Sequence, residues 1–181
     1  MRSAEEFVEF AQAALPRLRR TAFLLCGDWH TAEDLTQTAL ANVFASWRRI
    51  RYPEAAHAYA MRTLVNAYLA ERRLKRVGEV LTTRLPERPA ESSMPEIRMV
   101  VLDALATLPP RGRAVVVLRY WQDLSVDQAA IALGCSPGTV KSQSARALRK
   151  LRALLGDELT EAGDPDRPVH VQRDTKGAGH E

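Results

Sequence analysis

SVDQAAIALGCSPGTVKSQSARAL, residues Ser125–Leu148, is the stretch whose reading decides the fold. Ser125 and Gln128 stand at capping-box spacing, so a short helix begins there with Ala130 and Leu133 facing inward. A small side chain at Ala130 lets the next helix approach closely. Gly134 supplies the left-handed conformation that ends a helix in a tight turn. Ser136 then caps a second helix, and Pro137 occupies its first turn. On a helical wheel Val140, Ser144, Ala147, Leu148 and Leu151 share the inward face. Lys141, Ser142, Ala145, Arg146 and Arg149 point outward. Cap, turn and basic outer face together predict a helix-turn-helix whose second helix suits a major groove. Lys and Arg can donate to guanine edges and phosphates, while Ser hydroxyls and helix amides hold the DNA backbone. The plain alternative is a helical hairpin with a charged surface.

Upstream, helical periodicity covers about Ile97–Leu108 and ends before Pro109-Pro110. A second helix covers Gly112 to about Tyr120. Valines cluster briefly at Val115–Val117, but no alternating strand pattern persists. Between Val77 and Arg98 the periodicity fails. Gly78, Pro86, Pro89 and Pro95 stand among Glu87, Arg88 and Glu91. Prolines at this density disfavour a continuous helix, so this span reads as a flexible linker. Its composition predicts two modules that are not fused into one core.

The N-terminal module opens on Ser3 and Glu6, again at capping-box spacing. Pro16 interrupts the pattern and is expected to open a new turn or helix reaching Cys26. Gly27-Asp28 reads as a stop followed by a new N-cap. The next helix spans about Thr31–Arg48, with Leu35, Ala39, Leu40, Val43, Phe44 and Trp47 on one half of the wheel. Asp34, Gln37, Thr38 and Ala41 form the other half, either a solvated surface or a docking face for another protein. From Pro53 to about Arg76 a long helix carries Met61, Leu64, Val65, Ala67, Tyr68 and Leu74 around most of its circumference. Arg62, Asn66, Arg73 and Arg76 share its polar stripe. Such a stripe can read DNA or simply face water.

Composition agrees with an all-α chain. Of 181 residues, 46% are hydrophobic, enough for packed cores, and Ala, Leu, Arg and Glu favour helix. The net charge of +4 is modest. Its placement says more, since basic residues cluster at Arg17–Arg20, Arg48–Arg51, Arg72–Arg76 and Lys141–Arg152. Cys26 and Cys135 form no metal-binding or disulfide pattern and read as small, buried or half-buried thiols. The N-terminus lacks a signal-peptide core, and no apolar run approaches membrane-spanning length, so a soluble cytoplasmic protein without membrane insertion is expected. His30, His57, His170 and His180 are scattered. Without a Gly-rich phosphate loop, a nucleophile motif or a partnered carboxylate pair, the chain reads as no enzyme, with no cofactor or metal.

Four stretches now stand in order: AEDLTQTAL (Ala32–Leu40), RTLVNAYLAERR (Arg62–Arg73), LPPRGRAVVVLRYWQDLS (Leu108–Ser125) and LGCSPGTVKSQSARALRKL (Leu133–Leu151). Together they resemble bacterial extracytoplasmic-function (ECF) sigma factors of the sigma-70 superfamily, in particular the sigma-E-like group common in actinomycetes. The resemblance spans about Phe7 to Leu155. It implies a region-2-like module at 1–76 and a region-4-like helix-turn-helix module at 99–156, joined by the linker at 77–98; the tail at 157–181, with Gly163, Pro165, Pro168, Gly177 and Gly179 among charges, is expected from its composition to be disordered. It implies core RNA polymerase (clamp and flap regions) and promoter DNA as partners, with an anti-sigma factor as a further candidate. The acidic residue and glutamine of the family's D-L-x-Q motif face the clamp; here these are Asp34 and Gln37, with Thr38 beside them. The family's base-capturing asparagine matches Asn66. Arg62 lies on the same stripe, and Arg72, Arg73 and Arg76 correspond to the basic region of the minus ten reader. Lys141, Ser142 and Arg146 match positions that contact the minus thirty-five element, with Ser136, Thr139, Ala145 and Arg149 around them. Two positions depart from the pattern: Gln128 stands where Glu is common, and Gln143 where some relatives carry a basic residue. The competing reading is an autonomous helix-turn-helix regulator that binds duplex DNA without polymerase.

Overall fold

The computed structural model describes residues 3–50, 52–79 and 96–155. These residues form seven α-helices joined by short turns, with no strand among them: α1 (Ala4–Cys26), α2 (Trp29–Ser46), α3 (Pro53–Glu79), α4 (Glu96–Ala106), α5 (Pro110–Val116), α6 (Val126–Leu133) and α7 (Pro137–Leu155). A short 3-10 turn at Trp47–Arg49 follows α2, and a π-helical turn at Val117–Trp121 extends α5. Helix α3 runs to Glu79 and α4 starts at Glu96, so helix enters both ends of the stretch read as a linker. The rest of that stretch, and the tail from Gly156, lie outside the described residues.

The expected caps are present. Ser3 and Glu6 make a reciprocal capping box. Gly27 takes φ 80°, and its N–H donates to the Phe23 carbonyl at 2.7 Å, closing α1. Asp28 accepts from the Thr31 amide at 2.7 Å, and that hydrogen bond is the main cause holding its carboxyl below the usual range. One expectation is corrected: Pro16 does not open a new helix but sits inside a continuous α1. Its ring is on the exposed side, while Ala14, Leu18, Ala22 and Leu25 bury the opposite face. The lost hydrogen bond therefore faces water, and burial, worth about 1.5–3 kcal/mol for each large side chain, holds the helix together.

Helices α1, α2 and α3 pack into the N-terminal bundle through Leu35, Ala39, Val43, Trp47, Leu64, Val65 and Tyr68, all buried. Leu40 and Phe44 lie at the margin of α2's inward face: Leu40 is half-buried and Phe44 is 56% exposed, its ring 4.9 Å from Phe7. Leu74 was expected among α3's packed apolar residues but is exposed. Past Leu69 no residue of α3 up to Lys75 is buried, and Arg72–Lys75 are all exposed.

The C-terminal module is organised around α5. Every residue from Gly112 to Arg119 is buried, so the helix is covered on all sides. That is why Val115–Val117, β-branched and poor helix formers, are helical here: tertiary burial overrides propensity. In the π-helical turn the Gln122 N–H reaches back to the Val117 carbonyl at 3.0 Å, turning Gln122 inward while Trp121 stays exposed. The helix-turn-helix follows as expected. Ser125 and Gln128 form the capping box, Gly134 takes φ 61°, and the Thr139 N–H donates to Ser136 Oγ at 3.2 Å.

The expectation of two separate cores is overturned. The main apolar cluster is continuous from Leu18, Leu25 and Tyr68 of the first module to Val115, Leu118 and Leu133 of the second. Polar side chains reinforce the join. Arg17 Nε donates to Gln122 Oε1 at 2.6 Å, and Gln122 Nε2 donates to Thr21 Oγ1. Arg113, only 6% exposed, donates from Nε to the Leu105 carbonyl at 2.6 Å and from a terminal nitrogen to the Leu25 carbonyl at 2.7 Å. Leu25 and Leu105 each precede the last residue of α1 and α4. Arg113 thus supplies donors to two helix C-termini, where carbonyls lack intrahelical partners and the dipole is negative. Burial pulls its guanidinium below the ordinary arginine value, with the Tyr68 phenol opposing. Proline-rich composition between the modules carried no information about how their apolar faces meet.

Candidate nucleic-acid and protein interfaces

On α7, Lys141, Ser142, Ala145, Arg146 and Arg149 are exposed, while Val140, Ser144, Ala147 and Leu151 are buried beneath them. The outward and inward faces thus fall where the wheel placed them, except that Leu148 is only half-buried. Ser136 and Thr139 are tied into the cap, their hydroxyls 2.9 Å apart, and Ser142 Oγ donates to the Thr139 carbonyl at 3.0 Å. These hydroxyls fix the helix start.

On α2, Asp34, Gln37, Thr38 and Ala41 are exposed on the side opposite Leu35, Ala39 and Val43. His30 Nδ1 lies 3.5 Å from Asp34 Oδ2, and both side chains are largely exposed. On α3, Arg62, Asn66, Arg72 and Arg73 are exposed; Arg76 continues the stripe in sequence, but its side chain lies outside the described residues.

The structure also brings residues together that the sequence placed far apart. Arg72 and Arg73 of α3, Arg111 of α5, and Arg146 and Lys150 of α7 line one open groove of about 780 Å³ between the modules. Gly112 and Ala147 floor it; a Cβ built on Gly112 would stand 3.9 Å from that of Ala147, so the small residues let α5 and α7 close up. Lys150 Nζ donates to the Thr107 carbonyl at 2.6 Å, which holds its charge at the rim.

Sequence reasoning missed the joint formed by Arg17, Thr21, Arg113 and Gln122. A signal for one of them exists: Arg113, Val116, Val117 and Tyr120 fall at helical spacing, which puts the arginine on a packed face. Both cysteines are partly buried, and burial pushes the Cys26 thiol up to about 11, so it stays protonated at neutral pH. Among the described residues no group of His, Cys, Asp and Glu is placed to hold a metal, and no helix is long and apolar enough to cross a membrane.

Comparison with known families matches residues 10–77 to sigma-70 region 2 and residues 98–151 to sigma-70 region 4. The RNA polymerase sigma-E factor of Streptomyces coelicolor is 40% identical over 152 residues, covering 83% of this chain and 86% of that protein. The ECF RNA polymerase sigma factor SigL of Mycobacterium tuberculosis is 34% identical, covering 80% and 91%. The chain belongs to the ECF sigma factors of the sigma-70 family. A chain of the co-crystal structure of the sigma factor RpoE with the anti-sigma factor NepR from Bartonella quintana superimposes on this sigma factor with TM-score 0.68, at 27% identity, over 84% of the one and 98% of the other. A chain of the PhyRSL–NepR complex from Sphingomonas sp. Fr1 shares the fold, with TM-score 0.60 at 14% identity. ECF sigma factors bind core RNA polymerase and promoter DNA and direct transcription initiation. The autonomous-regulator reading is not favoured, because the family match includes the N-terminal bundle as well as the helix-turn-helix.

Proposed function

We propose that this sigma factor divides its work among three exposed faces. Asp34, Gln37 and Thr38 on α2 dock on the polymerase clamp. Arg62, Asn66, Arg72, Arg73 and Arg76 on α3 hold the minus ten element. Lys141, Ser142, Ala145, Arg146 and Arg149, with the cap residues Ser136 and Thr139, engage the minus thirty-five element beside the polymerase flap. The functional units are 1–76 and 99–156, joined by 77–98. The protein works in the cytoplasm, needs no cofactor and leaves the chemistry to core polymerase. The observation that carries this reading is that each face is exposed on a helix whose opposite side is packed, so each can meet a partner without unfolding. The RpoE–NepR complex makes an anti-sigma factor a candidate partner here as well. Run-off transcription with core polymerase and the gene's own upstream DNA tests the whole reading; absence of a specific start rejects it.

Two substitutions test its N-terminal part. Asp34→Arg reverses a charge at an exposed position, so the fold survives and core affinity falls about tenfold, as expected when one close charge pair becomes a repulsion. Unchanged pull-down of core polymerase removes the α2 assignment. Asn66→Ala takes away an amide able to pair with an unstacked base edge. Permanganate reactivity of the open complex should fall about two- to tenfold, the scale of one net hydrogen bond, while core binding holds. Equal loss of both would assign Asn66 to the helix's own packing.

A further inference from the structure

The groove between α3, α5 and α7 gathers Arg72, Arg73, Arg111, Arg146 and Lys150, and no acidic residue is among those lining it. Concentrated charge of one sign in a concave site focuses the field and favours an anion there. The chain itself holds a matching one. Residues 157–166, DELTEAGDPD, carry five carboxylates and no basic group. The run follows in sequence on helix α7, which lines the groove. From Lys150 on the groove to the helix end at Leu155 is roughly 7.5 Å of helix. Asp157, two residues on, adds at most about 7 Å. The groove's wall from Gln143 to Lys150 is roughly 10 Å long, whereas ten extended residues span about 33 Å. Tethering at this range gives an effective concentration in the millimolar range, so a contact too weak to form between separate molecules is filled within one chain.

We propose that in the free protein the acidic run Asp157–Asp166 lies in this groove, standing in for DNA phosphates and screening Arg72, Arg73 and Arg146 from nucleic acid. The proposal rests on the reading of those arginines as DNA contacts. Charge complementarity and the short tether favour this occupant; promoter DNA is its competitor for the same cations.

The test uses the full chain. In one variant Asp157→Asn, Glu158→Gln, Glu161→Gln, Asp164→Asn and Asp166→Asn neutralise the run; a second adds Arg111→Glu and Lys150→Glu. A fluorescent DELTEAGDPD peptide, followed by anisotropy at low salt, should bind the neutralised chain, bind the wild type severalfold more weakly because its groove is filled, and fail on the second variant. Equal binding to all three overturns the proposal. The neutralised chain should also bind a short duplex about two- to tenfold more tightly than wild type at 50 mM salt, with the gap closing as salt screens the contact. Equal duplex affinity alongside the expected peptide pattern overturns the screening role. If the peptide pattern holds but the chain supports no transcription with core polymerase, the groove assignment stands and the functional reading falls, so the two failures are distinguishable.

Discussion

Arg113→Met is expected to destabilise the protein by about 2 kcal/mol, because the buried Leu25 carbonyl loses its donor, at about 1–3 kcal/mol, and the Leu105 carbonyl loses one of two. At this chain length that corresponds to a melting temperature lower by about 4–8 °C. Replacing a buried charge by an apolar side chain is often neutral or better. That outcome applies to pairs in which both charges are removed. Here the guanidinium bonds to carbonyls rather than to a carboxylate: methionine leaves the Leu25 carbonyl without its donor, while the Leu105 carbonyl keeps only the bond from the Leu108 amide at 3.1 Å. Both lie at helix C-termini, where the positive charge is also favoured by the dipole. Arg113→Lys keeps the charge but offers a point donor in place of a fork, so it should recover only part of the loss. Denaturant and thermal unfolding of the three proteins decide this; a methionine variant melting within about 1 °C of wild type would show the bridge to be energetically idle.

Alanine at Arg146 or Lys141 should weaken holoenzyme binding to duplex carrying the upstream promoter element. An arginine with bidentate contact to guanine is worth about 1–3 kcal/mol of base discrimination, or roughly 5- to 150-fold. A lysine on phosphate contributes a sequence-independent term that fades with salt. The base reader's variant should relax preference at one or two positions. The phosphate contact's variant should lower affinity evenly and reduce the salt slope by about one unit. Both side chains project from α7 on the side away from Val140 and Leu151, and neither change should alter core binding through α2. Normal transcription by both variants would show that this helix does not face DNA.

Local chemistry was the part of this protein that the sequence made legible. Ser3, Asp28, Ser125 and Ser136 all cap helices as their spacing predicts, and Gly27 and Gly134 take the left-handed turns. Those signals act over three or four residues, so they survive in one dimension. Pro16 misled because its effect depends on which side of α1 faces water, a tertiary fact. The shared core and the Gln122 joint were hidden for the same reason: Gln122 turns inward only because the π-helical turn shifts its phase. The candidate site was legible as three separate faces. That Arg72, Arg73 and Arg146 line one groove could not be read from positions more than seventy residues apart.

That shared groove sets an accounting of populations. Minus ten and minus thirty-five promoter elements lie about 25 base pairs apart, roughly 85 Å along B-form DNA at about 3.4 Å per pair. On the proposed reading α3 holds one element and α7 the other, and with both walling a single groove this arrangement addresses one at a time. The sixteen residues between Glu79 and Glu96 can span up to about 60 Å when extended, so the covalent chain permits the modules to stand far apart. On that reading, full promoter engagement requires the modules to separate. Apparent affinity is the intrinsic affinity scaled by the open fraction, and every 1.4 kcal/mol in the Arg17–Gln122 and Arg113 contacts reduces it about tenfold. Variants that loosen this joint should thus lose thermal stability and gain promoter occupancy together, because one equilibrium governs both.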